Sequence, residues 1–239
     1  LLKMFIFLRR SPTLSRSDFA AAWLRSRRKA LEPNDGVRAL ARRYAFNATV
    51  EKTARLSPTT HEWNDEWDGI DEFWFEELEQ LEQARRHDGC NPLLKSNELL
   101  DLPNCRVVLA RESPNAGGPE VDVRIKSFIL IKKLPHLSQY QFFYHWTAIH
   151  PPIWTKLRRA LELPPPPKSV KNYLEEGLNS GLLPFGYDGI AEGWHASLEE
   201  MGRPFQTRQH DEMILPDSDL FRQEAVDILA VEHVLHGRI

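Results

Sequence analysis

The chain is short of cysteine, of long apolar runs and of net charge. Of 239 residues only two are cysteine, Cys90 and Cys105. They lack the spacing of a zinc-ligand set and cannot build a disulfide framework, which suits a reducing, cytoplasmic setting. No apolar stretch approaches the roughly 20 residues that cross a bilayer, so no membrane is expected. The opening LLKMFIFLRRSP carries its apolar run before its arginines, and a similar segment recurs deep in the chain. It reads as a strand, not a targeting segment. The formal net charge is only -3, which gives no global attraction to nucleic acid or anionic membrane. The local run Arg25, Arg27, Arg28, Lys29 reads as a solvated helix end favoured by the dipole. P-loop, GxGxxG, HExxH and GxSxG motifs are all missing.

What is present is a repeat. KMFIFLRRSPTLS (Lys3 to Ser15) returns as KSFILIKKLPHLS (Lys126 to Ser138). Phe19 and Trp23 follow the first segment as Phe142 and Trp146 follow the second. WDGIDEFWFEELEQL (Trp67 to Leu81) returns as YDGIAEGWHASLEEM (Tyr187 to Met201). Two diverged copies predict two similar units, residues 1–114 and 121–239. In the first, alternation predicts strands over Lys3 to Arg10, Ala39 to Val50, Trp67 to Phe75 and Cys105 to Glu112. Helices are expected after Ser15, a capping residue, and over Glu76 to Arg86. Ser113 to Glu120 reads as a linker. The second unit repeats the order: strand Val123 to Lys133, helix Ser138 to Leu161, strands Ser169 to Leu178 and Asp188 to His195, a short helix from Ser197, and strand Ala225 to His233. Pro164 to Pro167 stop the long helix.

The order is β-α-β-β-α-β twice, an α+β class with two ferredoxin-like units. A four-stranded sheet with helices on one face leaves its other face uncovered. The economical solution packs one unit's sheet against the other's, an intramolecular pseudo-dimer.

A KxxxLLxRKPxLSxxxFxxHWxxxH-like opening followed by a YDGxxExWF-like strand resembles the EthD-type family of dimeric α/β-barrel proteins. Phe142, His145, Trp146 and His150 carry the first motif in copy two; Tyr187, Asp188, Gly189, Glu192 and Trp194 carry the second. Copy one keeps Phe19, Trp23, Asp68, Gly69, Glu72 and Trp74, but has Ala22 in place of His145 and Arg27 in place of His150. The resemblance implies two ferredoxin-like repeats forming an intramolecular α/β barrel, with a homodimer also open. It implies activity on small hydrophobic or aromatic molecules in catabolic or polyketide-type pathways.

Histidine is the side chain suited to proton transfer near neutral pH. Copy two and its tail hold His136, His145, His150, His195, His210, His233 and His236; copy one and its insertion hold His61 and His87. His150 shares a helical face with Phe142 and Trp146. It is the first candidate acid/base, with His145 or Glu192 assisting. Phe142, Trp146, Trp194, His195, Tyr187 and Tyr173 are candidate pocket residues. His195 shares its strand face with Ala191 and Gly193, which leave room beside it. Asp68-Gly69 and Asp188-Gly189 read as structural turns. The expected activity is a cofactor-independent lyase or isomerase ahead of an oxygenase. A noncatalytic small-molecule binder and a haem protein are the rivals, the latter because one histidine suffices as an axial ligand. No metal is expected.

Overall fold

The computed structural model describes residues 1–31, 36–51, 62–63, 65–95, 97–114, 125–164 and 168–237. His61, most of the linker, the start of the Val123 strand and Pro165 to Pro167 lie outside the described residues. The strands are β1 (Leu2–Leu8), β2 (Arg43–Thr49), β3 (Glu62–Trp63), β4 (Gly69–Phe75), β5 (Arg106–Pro114), β6 (Ile125–Lys133), β7 (Ser169–Tyr173), β8 (Gly189–His195) and β9 (Arg222–His236). The helices are α1 (Arg16–Lys29), α2 (Val37–Leu40), α3 (Leu78–Arg85), α4 (Gln139–Tyr144), α5 (His150–Ala160), α6 (Glu176–Asn179), α7 (Leu198–Gly202), α8 (Arg208–Met213) and α9 (Leu215–Ser218).

Eight strands run in the order β2-β4-β1-β5-β7-β8-β6-β9, and β9 pairs back onto β2. The antiparallel joins β5–β7 and β2–β9 close the sheet into a barrel. The element order suggests one sheet packed against another, and the family resemblance implies a barrel; the sheets meet edge to edge and form that barrel. Closure pairs the backbone groups that two separate sheets would leave bare at their edges. Both faces of β1 and β4, and nearly all of β2, are then buried. In β1, Phe5 and Phe7 point into the barrel, while Met4, Ile6 and Leu8 pack under the helices with Phe19 and Trp23.

Several predicted elements differ in extent. The second-unit strand from Ser169 ends at Tyr173, and Glu176–Asn179 is helical. The helix expected over Ser138 to Leu161 is α4, then a π-turn at His145–Ile149, then α5. Pro151 and Pro152 lack the N–H groups that would continue the ladder, which accounts for the break. The Trp146 carbonyl is instead met by the buried Lys171 amine.

The barrel centre is charged. Lys3 reaches Glu192 of the other half, and Lys126 reaches Glu72. Asn47 donates to Glu72 Oε2 at 2.9 Å and Asn172 to Glu192 Oε1 at 2.7 Å. Trp74 Nε1 donates to Glu112 Oε2 at 2.8 Å and Trp194 Nε1 to Glu232 Oε2 at 3.3 Å. The same set of five residues, one Lys, one Asn, one Trp and two Glu, thus occurs twice, with each lysine engaging the opposite half.

The Asp-Gly pairs are anchored rather than turned. Asp68 Oδ2 accepts the Arg10 N–H and Asp188 Oδ2 the Lys133 N–H, both at 2.9 Å. Gly69 and Gly189 are small because a ring lies on each: an added Cβ would fall 2.6 Å from Phe46 and 2.6 Å from Trp146. Gly189→Ala is expected to cost about 1–3 kcal/mol by overpacking, read as a lower urea midpoint.

Candidate functional site

Outside the barrel, in the second half, lies a cavity of about 390 Å³ between β6, β7, β8 and α5, closed over by the segment 198–222. Its origin is visible in the repeat. Asn172 makes the bonds that Asn47 makes, to the neighbouring strand's carbonyl and to the matched glutamate, which fixes the alignment of β7 with β2. Ser127, Lys171, Ala191, Gly193 and His195 then stand where the first half has Met4, Phe46, Asp71, Phe73 and Phe75. In the first half these side chains fill the space, Arg27 pairing with Asp71 and lying against Tyr44 and Phe73. In the second half smaller residues leave it open, walled by Trp146, Trp154, Phe205 and Phe221.

His150 reaches the wall, but both of its ring nitrogens are engaged. Nδ1 lies 2.6 Å from Asp217 Oδ2, and Nε2 accepts from Trp154 Nε1 at 2.7 Å. An imidazole whose Nε2 accepts a hydrogen bond is neutral, with its proton on Nδ1 toward Asp217. Burial is the main force lowering its pKa to about 4, against the raising effect of Asp217. His145 Nε2 lies 2.8 Å from the other oxygen of Asp217. One buried carboxylate therefore holds both histidines of the helix. Trp154→Phe would keep a ring but release Nε2. Its expected result is a His150 pKa raised from about 4, seen by NMR titration of the ring proton.

His195 projects into the cavity beside Gly193, with Nε2 3.0 Å from Ser127 Oγ. Burial lowers its pKa to about 4, so it is neutral at pH 7. Lys171 lines the same cavity from β7.

Glu192 and Trp194 require correction as partners of His150. Strand alternation sends both side chains into the barrel, Glu192 to Lys3, Lys126 and Asn172, and Trp194 to Glu232. The Glu192 carboxylate is engaged by those barrel groups and not by His150. Phe142 stacks behind Trp146 with ring centres 5.4 Å apart and forms core rather than cavity surface. Tyr173 packs on Phe143, and Tyr187 on Phe185 at the barrel's apolar layer. Neither lines the cavity. Of the proposed residues, Trp146, His150 and His195 meet there.

Asp217, Trp154, Lys171 and Phe221 escaped sequence reasoning. Trp154 lies four residues after His150, a helical spacing that could have flagged it. Asp217 and Phe221 belong to the region after α7 in which no helices were expected and where α8 and α9 form.

As a haem ligand His150 does not fit, since neither ring nitrogen has a lone pair to offer iron. Among the described residues, no group of three or more His, Cys, Asp or Glu could hold a metal ion. No helix among them is long and apolar enough to cross a membrane.

No protein-family model matches the sequence, and no curated protein matches it either. Solved structures do resemble it. An anthrone oxidase-like protein aligns over 100% of this chain and 94% of its own, with TM-score 0.56 and 11% identity. A candidate monooxygenase from Lactobacillus acidophilus NCFM aligns over 97% and 93%, with TM-score 0.54 and 11% identity. A candidate chlorite dismutase aligns over 98% and 95%, with TM-score 0.51 and 10% identity. At such identities the likeness is one of fold alone: the chain shares its overall architecture with these proteins.

Proposed function

We propose that the chain is a tandem, EthD-like enzyme whose two repeats, 1–114 and 121–239, form a pseudo-dimer within one polypeptide. The twofold arrangement of Lys3, Asn47, Glu72, Trp74 and Glu112 with Lys126, Asn172, Glu192, Trp194 and Glu232 supports this reading. The first repeat is scaffold, and the second holds a small hydrophobic, aromatic molecule in its outer cavity.

The observation that carries the assignment is a neutral imidazole, His195, in an aromatic-walled cavity that the first half fills with side chains. His195 takes a proton from a phenolic oxygen or an activated carbon of the bound molecule. Asp217 and His150 hold Trp154 as a wall, so His150 is a positioning residue here rather than the base. The names borne by the structural neighbours reverse the sequence-based order of reaction classes and favour oxygenase-type chemistry over lyase or isomerase. With dioxygen as oxidant, an activated methylene would become a carbonyl. Its two hydrogens would leave with the second oxygen atom as water.

The test uses an anthrone as probe. Binding should quench the fluorescence of Trp146 and Trp154, and turnover should consume one dioxygen per anthrone. Quenching without oxygen uptake would assign the noncatalytic binder instead.

A further inference from the structure

We propose that Lys171 is a carbonyl-reactive amine, and that the second-half cavity binds an aldehyde or ketone covalently through it as an imine. The inference uses the cavity of the proposed function but not the proton transfer assigned to His195.

Four observations carry it. Lys171 is 6% exposed, and its side chain borders an open cavity rather than packed core. Its Nζ donates to the Trp146 carbonyl, a neutral acceptor freed because Pro151 has no N–H. The carboxylates around the cavity are engaged by other groups: Asp217 by His145 and His150, Glu200 by the Ala196 N–H, Asp227 by electrostatic interaction with His195 and Arg222, and Glu192 by the lysines of the barrel interior. The matched first-half residue, Phe46, is fully buried in the core, so a lysine here is not demanded by the fold.

This differs from the other buried lysine of the second half. Lys126 is surrounded by Glu72, Glu192 and Glu232, which fix it as a cation. Burial without a compensating carboxylate favours the uncharged amine: the Lys171 pKa is lowered to about 7 by desolvation alone. A neutral amine in an apolar pocket is the activated form of a lysine nucleophile. The aromatic walls suit a carbonyl compound with an apolar or aromatic substituent.

The step balances without a further reagent. The amine lone pair attacks the carbonyl carbon, forming a C–N bond, and one nitrogen proton passes to oxygen to give a carbinolamine. Loss of the hydroxyl with the second nitrogen proton expels water and leaves C=N.

The test is reductive trapping in the full-length protein. Benzaldehyde and, separately, propanal are added with cyanoborohydride at pH 7, followed by intact mass measurement and peptide mapping. The expected result is a single adduct on Lys171, formed before the exposed Lys95 reacts. Modification of Lys95 and other surface lysines with Lys171 untouched would overturn the proposal. Lys171→Arg retains a donor for the Trp146 carbonyl but cannot form the imine, and its mass should stay unchanged. A measurement on the parent protein stands even if that variant does not fold. The Lys171 labelling rate should rise with pH through about 7, whereas surface lysines approach full reactivity only near pH 10.4. A Lys171 profile coinciding with that of the surface lysines would reject the inference. Labelling without oxygen uptake keeps the imine site and removes the proton-transfer reading; oxygen uptake without labelling does the opposite.

Discussion

Lys126→Met should lower the unfolding free energy by about 3–5 kcal/mol, a large share of the 5–15 kcal/mol typical of a native protein. Lys126 is fully buried and lies 2.7 Å from Glu192, 3.0 Å from Glu232 and in contact with Glu72. Burial disfavours its charge, but Glu192, Glu232 and Glu72 outweigh that effect and raise its pKa. The Glu72 carboxyl is pushed up to about 8, first by burial and then by the charge of Glu192, with which it shares a hydrogen bond. Removing the Lys126 cation leaves those acids together in the barrel with too little positive charge. Breaking one partner of a buried ion pair is costly because the remaining charge has no water to return to. The measurement is urea unfolding of Lys126→Met beside Lys126→Met/Glu192→Gln. The double variant should recover part of the loss. A single variant as stable as the parent would show that the network contributes little to holding the halves together.

His195→Asn should reduce turnover of the anthrone probe by about 10² to 10⁴-fold, the usual contribution of a general base, with the fold retained. Asparagine can still hydrogen-bond Ser127 but cannot take up a proton, so the loss would isolate the proton transfer. Undiminished oxygen uptake would remove His195 from the mechanism. Its stability effect has a defined sign. The folded pKa of about 4 lies below the ordinary 6.5, so the unfolded chain binds the proton more readily between those values. The contribution of His195 is complete above pH 6.5 and is lost as pH falls through about 4. The parent should therefore lose more stability than His195→Asn between pH 7 and pH 4, which urea titrations at the two pH values would compare.

The repeat was legible because its constraints are local. Lys3 and Lys126 begin matched strands, Asp68 and Asp188 accept matched backbone N–H groups, and Gly69 and Gly189 accommodate matched rings. Strand alternation also separated Glu192 and Trp194 from His195. It could not tell which face looks into the barrel, because both faces of these strands are covered. Glu192 therefore reads as a partner of His150 in sequence, although it belongs to Lys3 and Lys126. Asp217 was missed for a different reason. It contacts histidines 67 and 72 residues away in sequence, and no periodicity encodes such a meeting.

The sequence by itself determined the duplicated strand and helix order, the aromatic helix faces and the half that lost its bulky residues. These follow from side-chain period and size along a short stretch of chain. Tertiary structure alone decided which strand edges join to close the barrel and that Asp217 and Trp154 occupy both nitrogens of His150. It also decided that Lys126 is held charged while Lys171 is left without a counter-charge. A histidine or lysine has the same sequence signature in either setting; its chemistry is set by which distant groups share its desolvated space.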